Sequence, residues 1–519
     1  MPIPVLLHQN NHFSLRIDEK PYIILGSEVH NSACSSEEYL DNVWRRAQEI
    51  NCNTIFMPVY WYELEPEEDQ FSDEKISFLL KEARKIGRKL VFLWFGAWKN
   101  GRSTYVPAWI KKDTERFPRV KDASGRSLNI LSMFRSQLQE CEEKAFHHFI
   151  EYLRKVDSDF FTVIAIQIEN EVGILGSARD YSDGAEIAFS EQVPCQLMEI
   201  FNRQGYFACS QNKSIHSWKD LPIDNADEIF MVWHYARYIN HLAGIVQQNY
   251  SLPTFTNVWL PGSDDEIPGE YPSGGPVPRV LDIWKMAAPD VSFIAPDIYS
   301  FQFGDVAKIF SRPDNPLFIP ETRRDQWAAA NLYLAVGRYQ CLAYSPFGLE
   351  SIGENKSFIT QRIHTDPNDK NVSSMAVKKY LSMSYKIFQN AMPTLCKKYG
   401  TQEIQGFAQK EQCLSESFQL GEYQIEVAYY HEINTIDEYI PAAGIVLREA
   451  PDRLIFIGYG FRARVCLASG NQSLDFISIE NGYYDDTSRW HKELELNGDE
   501  QHIQMREEPS VLRVEFFRY

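Results

Sequence analysis

Residues 160–176 read FFTVIAIQIENEVGILG, an apolar run that continues into polar and acidic residues. Its first half is a short apolar run rich in β-branched residues, which is typical of a strand buried on both faces. The run ends in two carboxylates, Glu169 and Glu171, with Asn170 between them. Because burying a carboxylate beside apolar side chains is costly, their place at a strand end indicates a function.

Seven other apolar runs resemble this one, and helical patterns separate them along the chain. They are PYIILGSEVH (21–30), NTIFMPVYW (53–61), KLVFLWFG (89–96), PTFTNVWL (253–260), VSFIAPDIYS (291–300), PLFIPE (316–321) and QCLAYSPFGLES (340–351). Eight strands alternating with helices predict an α/β fold, a (β/α)8 TIM barrel over residues 1–395. A doubly wound sheet is the alternative, but no GxGxxG motif follows the first strand.

Residues 396–519 have a different pattern. Segments such as YQIEVAYYHE (423–432) and SVLRVEFFRY (510–519) alternate apolar with polar residues, and Gly, Asn and Asp separate them. Such alternation is typical of strands with one buried face. We therefore expect a β-sandwich-like C-terminal domain after the barrel.

Composition narrows the possible partners and compartments. The net charge of −19 disfavours nucleic acid and anionic membranes as partners. The N-terminus lacks the pattern of a signal peptide, and no apolar stretch is long enough to span a membrane. Nine scattered cysteines without a CxxC pair favour free thiols in a reducing cytosol. We expect a cytoplasmic protein without cofactor or metal, and a homo-oligomer stays open.

Active sites of such barrels lie at the C-terminal ends of the strands. The residues at these ends mix acids, amides and aromatic rings, a mixture that suits a sugar, because rings stack on C–H faces and polar groups bind hydroxyls. The candidate substrate-binding residues are Glu28, His30, Trp61, Trp98, Lys99, Asn170, Asn257, Trp259 and Tyr299. No cluster of His and Cys with metal-ligand spacing occurs among them.

Two carboxylates are the candidate catalytic residues. Glu171 follows the fourth strand and Glu321 ends the seventh. Closure of the barrel is expected to place these two strand ends across the mouth from each other. Retaining glycosidases need two carboxyls about 5–5.5 Å apart, one as nucleophile and one as acid and then base. Glu169 lies earlier in the strand and is interpreted as a buried ion-pair or orienting residue.

The chain resembles the β-galactosidases of glycoside hydrolase family 35, with similarities to family 42. The motifs that carry the resemblance are LGSEVH (25–30), VYWYELEPEEDQF (59–71), TYVPAWI (104–110) and QIENEVG (167–173). WKNGRSTYVPAWIKKD (98–113) resembles a bacterial branch with one compact C-terminal β domain. The resemblance implies that Glu171 is the acid/base and Glu321 the nucleophile. It also implies that Asn170 binds the sugar 2-hydroxyl and that Tyr299 holds Glu321 by a hydrogen bond.

Three positions depart from the family pattern. Phe56 stands where the family usually has a substrate-binding Tyr, and Ala97 where it has a sugar-contacting Glu. The Arg that commonly follows a His-Tyr pair near the first strand is also missing. The resemblance implies a retaining exo-β-galactosidase acting on oligosaccharides. The alternatives are a β-glucosidase, a β-fucosidase, an α-L-arabinosidase or an inactive carbohydrate-binding barrel.

Overall fold

The computed structural model describes residues 4–9, 12–204, 217–221, 223–300, 302–354, 373–410, 413–430, 434–435 and 438–519. The chain divides into two compact units. One unit comprises residues 57–297, and the other comprises residues 4–56 together with residues 298–519. No helix among the described residues combines the length and apolar composition that a membrane span needs.

Among the described residues, thirteen strands precede the C-terminal region. They are β1 (Val5–Gln9), β2 (His12–Ile17), β3 (Lys20–Pro21), β4 (Ile24–Glu28), β5 (Thr54–Tyr60), β6 (Lys89–Lys99), β7 (Arg119–Lys121), β8 (Ser127–Leu131), β9 (Val163–Asn170), β10 (Thr254–Val258), β11 (Phe293–Pro296), β12 (Phe318–Thr322) and β13 (Ala343–Pro346). The antiparallel sheet β1-β2-β3 was not predicted from the sequence.

Helices connect the strands that follow β4. They are α1 (Glu37–Glu49), α2 (Trp61–Leu64), α3 (Glu74–Lys85), α4 (Ala108–Lys112), α5 (Ser136–Asp157), α6 (Asp183–Phe189), α7 (Cys195–Gln204), α8 (Ala226–Asn249), α9 (Leu281–Ala287), α10 (Phe303–Phe310), α11 (Ala328–Tyr333), α12 (Met375–Asn390) and α13 (Met392–Cys396). Local signals set several of their ends. Ser36 caps α1 by accepting the N–H of Tyr39 at 3.2 Å, and Gly87 follows α3 with a φ of 65°.

Eight of the strands form one sheet in the order β11-β10-β9-β6-β5-β4-β13-β12. The pairs with a described register are parallel, as in β9 with β10 and β13 with β4. An isolated parallel bridge between Ile298 and Thr322 joins the segment after β11 to β12. All eight strands lie where the apolar runs predicted them. The predicted (β/α)8 TIM barrel is therefore confirmed.

The strand β6 is longer than predicted. The apolar run ends at Gly96, but the strand continues to Lys99, which pairs with Asn170 of β9. The register between the two strands shifts between Trp94 and Lys99, as a β-bulge does. With this shift, β6 extends as far as Asn170, the last residue of β9.

The C-terminal region consists of short antiparallel strands. They are β14 (Ile404–Ala408), β15 (Ser415–Leu420), β16 (Tyr423–Tyr429), β17 (Asn434–Thr435), β18 (Glu438–Tyr439), β19 (Ala443–Ala450), β20 (Arg453–Tyr459), β21 (Phe461–Leu467), β22 (Leu474–Tyr484), β23 (Trp490–Glu495), β24 (Ile503–Met505) and β25 (Ser510–Arg518). One sheet has the order β14-β19-β20-β25-β22-β23, and another has the order β15-β16-β21-β24.

A single apolar core joins these two sheets. Phe456 and Val514 come from the six-stranded sheet, and Ile425 and Met505 come from the four-stranded sheet. On β16 the buried residues alternate with more exposed ones, as the sequence pattern predicted. The expected β-sandwich-like domain is confirmed, whereas its boundary between residues 395 and 396 stays a prediction.

The backbone of β14, the first strand of this domain, contacts the backbone of residues 333–338, at the end of α11 and directly after it. A Cβ atom at Gly406 of β14 would lie 2.2 Å from the carbonyl oxygen of Tyr333 and 2.8 Å from the backbone nitrogen of Arg338. A Cβ atom at Gly337 would lie 2.6 Å from Cα of Gly406. Only glycine allows so close an approach at these two positions.

Phe456→Ala tests the sandwich core. The ring is fully buried in the shared core, so the substitution should lower the free energy of unfolding by about 3–5 kcal/mol. Phe517→Ala, at a side chain that is 43% exposed, is the control and should change it by less than about 0.5 kcal/mol. Urea denaturation followed by far-UV circular dichroism measures both. Equal effects of the two substitutions would contradict this description of the core.

Candidate active site

The end of β9 carries the first group of candidate residues. Asn170 is the last residue of the strand, Glu171 follows it, and both are buried. Glu169 and Glu171 have φ angles of 58° and 47°. Residues other than glycine rarely adopt such left-handed angles, and they keep them only where the surrounding structure holds the backbone. The N–H of Gly101 provides one such hold by donating to the carbonyl oxygen of Glu171 at 3.2 Å.

Asn257 on β10 fixes this segment from the neighbouring strand. Its side-chain oxygen accepts the N–H of Glu171 at 2.9 Å, and its amide nitrogen donates to Asn170 Oδ1 at 3.1 Å. The same nitrogen donates to Asp297 Oδ2 at 2.8 Å. Asn170 Nδ2 donates in turn to Asn100 Oδ1 at 3.2 Å. Three of the predicted site residues, Asn170, Glu171 and Asn257, are thus joined in one hydrogen-bonded network.

Glu169 supports this segment from a fully buried position. Its two carboxyl oxygens accept the backbone N–H groups of Ala97 and Trp98, each at 2.7 Å. Burial and the neighbouring Glu142 raise the pKa of Glu169 well above the ordinary range of a glutamate. Among the described residues, the ionisable neighbour of Glu169 is a second acid and not a cation, which agrees better with the orienting role than with an ion pair.

Lys99 ends β6 beside Asn170 and is 6% exposed. Its Nζ lies 4.3 Å from the centroid of the Phe95 ring, a cation–π contact. Within the described part of the chain, its ammonium forms no ion pair with a carboxylate. No carboxylate among the described residues therefore neutralises the charge of Lys99.

The three tryptophans predicted to bind substrate have different positions. Trp61 and Trp98 are fully buried, and their indole N–H groups donate to Glu65 Oε2 at 2.8 Å and to the carbonyl oxygen of Leu131 at 3.1 Å. This burial favours packing over sugar stacking for both rings. Trp259 is 38% exposed and follows β10 directly, so its ring remains a candidate stacking surface.

Glu321 on β12 leads the second group of candidate residues. The hydroxyl of Tyr299 donates to Glu321 Oε2 at 2.7 Å, the hydrogen bond that the family resemblance implied. Glu321 Oε1 is buried and has no hydrogen-bond partner among the described residues. Arg323 donates to the carbonyl oxygen of Tyr299 at 3.1 Å and pairs with Asp325. The carboxylate is thus held through one oxygen, while its other oxygen is left for another group.

His30 and Glu28 lie at the end of β4 in a buried polar cluster. His30 Nε2 shares a hydrogen bond of 2.7 Å with the hydroxyl of Ser351, and its backbone N–H faces the carboxyl of Glu350. Burial, with the nearby charge of Arg324, lowers the pKa of His30 to about 3. Burial raises the pKa of Glu350 to about 7. At neutral pH His30 is therefore an uncharged imidazole, which can form a hydrogen bond with a hydroxyl but carries no positive charge.

Glu142 is the buried acid that sequence reasoning missed. It lies in the middle of α5, and its partners are Trp94, Tyr238 and the backbone of Ala97. The helical spacing of buried residues on α5 places it on the apolar face together with Phe146. A charged residue on the buried face of a helix was the available signal.

No group of three or more His, Cys, Asp or Glu residues among those described has the arrangement of a metal site. The polar groups at the strand ends include amides, carboxyls, hydroxyls, the imidazole of His30 and the ammonium of Lys99. This donor set can bind the hydroxyls of a sugar and can exchange a proton.

The comparisons with known proteins give a family model and several solved structures. A family model described as a domain of unknown function (DUF5597) matches residues 381–506, which is less than half of the chain. No curated protein sequence matches the chain. The β-galactosidase from Bacillus circulans sp. alkalophilus is similar in structure, with a TM-score of 0.50 and 12% identity, over 72% of this chain and 57% of that chain.

Two further solved structures are more distant in geometry. The β-galactosidase from Rahnella sp. R3 has a TM-score of 0.48 and 14% identity, over 72% of this chain and 57% of that chain. The catalytic domain of β-amylase from Paenibacillus polymyxa has a TM-score of 0.47 and 13% identity, over 65% of this chain and 97% of that chain. The match spans less than two thirds of either β-galactosidase, and at these identities the likeness shows the fold alone.

Gly96→Ala tests the close packing of Gly96 against the buried carboxyls of Glu142 and Glu169. A Cβ atom at Gly96 would lie 2.0 Å from Glu142 Oε1 and 2.5 Å from Glu169 Oε1. The substitution should therefore lower the free energy of unfolding by about 1–3 kcal/mol or more, because the buried carboxyls must move. Gly244→Ala on α8 is the control, since its Cβ would meet its nearest neighbour at 3.6 Å. Thermal unfolding compares the two, and a neutral Gly96→Ala would refute this packing.

Proposed function

We propose that the protein is a retaining exo-β-galactosidase that removes terminal β-linked galactosyl residues from oligosaccharides. The observation that carries the proposal is the environment of Glu321. Tyr299 fixes one carboxylate oxygen, and the other oxygen is buried without a hydrogen-bond partner among the described residues. A nucleophile needs such an arrangement, because one oxygen must be oriented while the other attacks. The barrel fold supports the same class.

The first step forms a covalent glycosyl-enzyme. Glu321 Oε1 attacks the anomeric carbon, and the bond from that carbon to the glycosidic oxygen breaks. Glu171, protonated at this stage, transfers its proton to the departing oxygen. The carboxyl of Glu171 follows a left-handed backbone bend that Asn257 holds through the backbone N–H. Rigid placement of this kind is what general acid catalysis requires.

The second step releases the sugar with its original anomeric configuration. Glu171, now a carboxylate, takes a proton from water, and the water oxygen attacks the anomeric carbon. The ester bond to Glu321 breaks, and both carboxyls return to their starting states. Asn170 serves both steps by donating to the sugar 2-hydroxyl, and its amide is already oriented by Asn257 and Asn100. The proposal requires the two carboxyls to act about 5–5.5 Å apart.

Specificity is proposed to depend on Lys99 and His30. The family positions that usually hold a Tyr and a Glu are occupied by Phe56 and Ala97, which bring no polar side-chain group. Lys99 has donors without a carboxylate partner, and the neutral His30 can donate or accept. A glycosidase of the same mechanism for glucosides, fucosides or arabinosides is the second candidate, and it is favoured by these same replacements.

Glu321→Gln should abolish turnover on every substrate of a nitrophenyl panel comprising β-galactoside, β-glucoside, β-fucoside and α-L-arabinoside. A loss of at least about 10⁴-fold in kcat is expected, since the amide cannot attack. Glu67→Gln, at an exposed loop position, is the control and should retain wild-type rates. Proton NMR of the first product should show the retained anomer. An inverted product or an active Glu321→Gln variant would refute the mechanism.

The loss of activity in Glu171→Gln should depend on the leaving group of the substrate. The variant lacks the proton donor, so kcat should fall about 10²–10⁴-fold for a poor leaving group such as an alkyl alcohol. The first step should be less affected for nitrophenolate, which leaves without protonation, and a burst of nitrophenol measures this. An equal loss for both leaving groups would contradict the role of Glu171. If the wild type turns over none of the glycosides in the panel but still binds sugar, the inactive carbohydrate-binding barrel would be favoured.

Lys99→Met should weaken the binding of the sugar hydroxyl that Lys99 is proposed to contact. Loss of a charged donor to a hydroxyl costs about 1.5–3 kcal/mol, so kcat/KM should fall about 10- to 150-fold on the best substrate. The fall should be smaller for the sugar that lacks or inverts the contacted hydroxyl. Lys85→Met, at an exposed helical lysine, is the control. Equal loss on all sugars would exclude a contact of Lys99 with the hydroxyls that differ across the panel, and no loss on any sugar would place Lys99 outside the pocket.

A further inference from the structure

Two buried carboxyls meet at Gly96. Glu142 on α5 and Glu169 on β9 are both fully buried. A Cβ atom at Gly96 would lie 2.0 Å from Glu142 Oε1 and 2.5 Å from Glu169 Oε1. The N–H of Ala97 lies within hydrogen-bonding distance of the same two oxygens, at 3.3 Å and 2.7 Å. The two carboxyl groups are therefore direct neighbours.

All of the donors around this pair are neutral. Trp94 Nε1 donates to Glu142 Oε1 at 2.8 Å, and the hydroxyl of Tyr238 donates to Glu142 Oε2 at 2.7 Å. Backbone N–H groups donate to Glu169. Among the described residues, no Lys, Arg or His forms an ion pair with either carboxyl. Two adjacent negative charges would thus have no cation to stabilise them.

The other titratable groups that face the pair also bring no positive charge. Tyr235 and Tyr238 lie on α8, and burial raises the pKa of both above the ordinary range of a tyrosine. Cys141 lies beside Glu142 on α5, and burial raises the pKa of its thiol to about 11. All three groups are neutral near pH 7. The favourable state of two adjacent buried carboxyls in such surroundings contains one proton between them.

We propose that Glu142 and Glu169 share one proton and act as a positioning couple that holds the end of β9 in its left-handed bend. The φ angle of Glu169 is 58°, and its side chain ties this bend to the backbone of β6 at Ala97 and Trp98. Glu171 lies two residues further on, so the couple also sets the position of the proposed acid/base. That last role rests on the proposed function, whereas the shared proton does not.

Two substitutions of Glu169 distinguish the role of the shared proton from that of the hydrogen-bond acceptors. In Glu169→Gln, the amide nitrogen can donate to Glu142 Oε1 as the shared proton does, and the amide oxygen can still accept the N–H of Trp98. Glu169→Leu removes both the proton and the acceptors. Glu140→Gln is the matched control, because this glutamate is exposed on the same helix as Glu142.

Infrared difference spectroscopy detects the shared proton directly. The Glu171→Gln background removes the other carboxyl that the mechanism keeps protonated. At neutral pH, where an ordinary glutamate with a pKa of about 4.3 is ionised, Glu171→Gln should show a protonated-carboxyl stretch. Glu350, whose pKa burial raises to about 7, contributes to this stretch in every variant. The stretch should therefore be weaker in Glu171→Gln/Glu169→Gln than in Glu171→Gln, and unchanged in Glu171→Gln/Glu140→Gln. Identical spectra with and without Glu169 would overturn the shared proton.

The pH dependence of stability provides a second measurement. Because the pKa of Glu169 is raised in the folded state, its stabilising contribution is present at low pH and is lost as the pH rises through the folded-state pKa. Wild type and Glu140→Gln should therefore lose stability relative to Glu169→Gln as the pH is raised from acidic to alkaline. Parallel curves of urea midpoint against pH for wild type and Glu169→Gln would exclude the couple.

Positioning is tested by amide exchange and by kinetics. The N–H of Trp98 should exchange slowly in wild type and in Glu169→Gln, whose amide oxygen still accepts it, and quickly in folded Glu169→Leu. On the best glycoside, Glu169→Leu should lower kcat about 10²-fold with KM little changed, while Glu169→Gln stays within a few-fold of wild type. Slow exchange in Glu169→Leu, or a kcat equal to that of wild type, would overturn the positioning role. If wild type turns over no glycoside, the proposed function fails, and the infrared and exchange results still decide on the couple.

Discussion

Burial of the barrel strands on both faces determines where the chain can place polar side chains. Every residue of β4, β5, β9 and β10 is buried, so a polar side chain within them costs free energy unless it has a partner. The chain therefore places its amides and acids where strands end, as with Asn170, Glu171 and Glu321. Gln167 and Glu169 lie further inside β9. Gln167 donates to Asn170, and the carboxyl of Glu169 accepts two backbone N–H groups beside a second acid.

The sequence predicts the architecture well because the constraint is local. Continuous apolar runs located all eight barrel strands, and alternation located strands of the sandwich such as β16. The same logic selected Glu171 and Glu321, because an acid directly after an apolar run needs a reason. The resemblance added the pairing of Tyr299 with Glu321, and a hydrogen bond of 2.7 Å joins them.

What the sequence did not reveal depends on tertiary contacts. The left-handed φ angles of Glu169 and Glu171 have no local signature, since neither residue is a glycine. Trp61 follows an apolar run like Trp259, yet the first ring is fully buried and the second is 38% exposed. The neutrality of His30 follows from burial near Arg324, a residue distant in sequence. Each of these properties is set by which segments pack together, and a single strand's pattern does not contain that information.

The contact between Gly406 and Gly337 has a consequence for the history of the chain. Where two backbones touch without side chains, no neighbouring side chain can change to accommodate a substitution, and a new partner would need the same bare surface. The π-helical turn Leu334–Arg338 and β14 are therefore bound to each other as matched surfaces. Shuffling the sandwich onto another barrel would break that match, so lineages of this protein should inherit the two parts together.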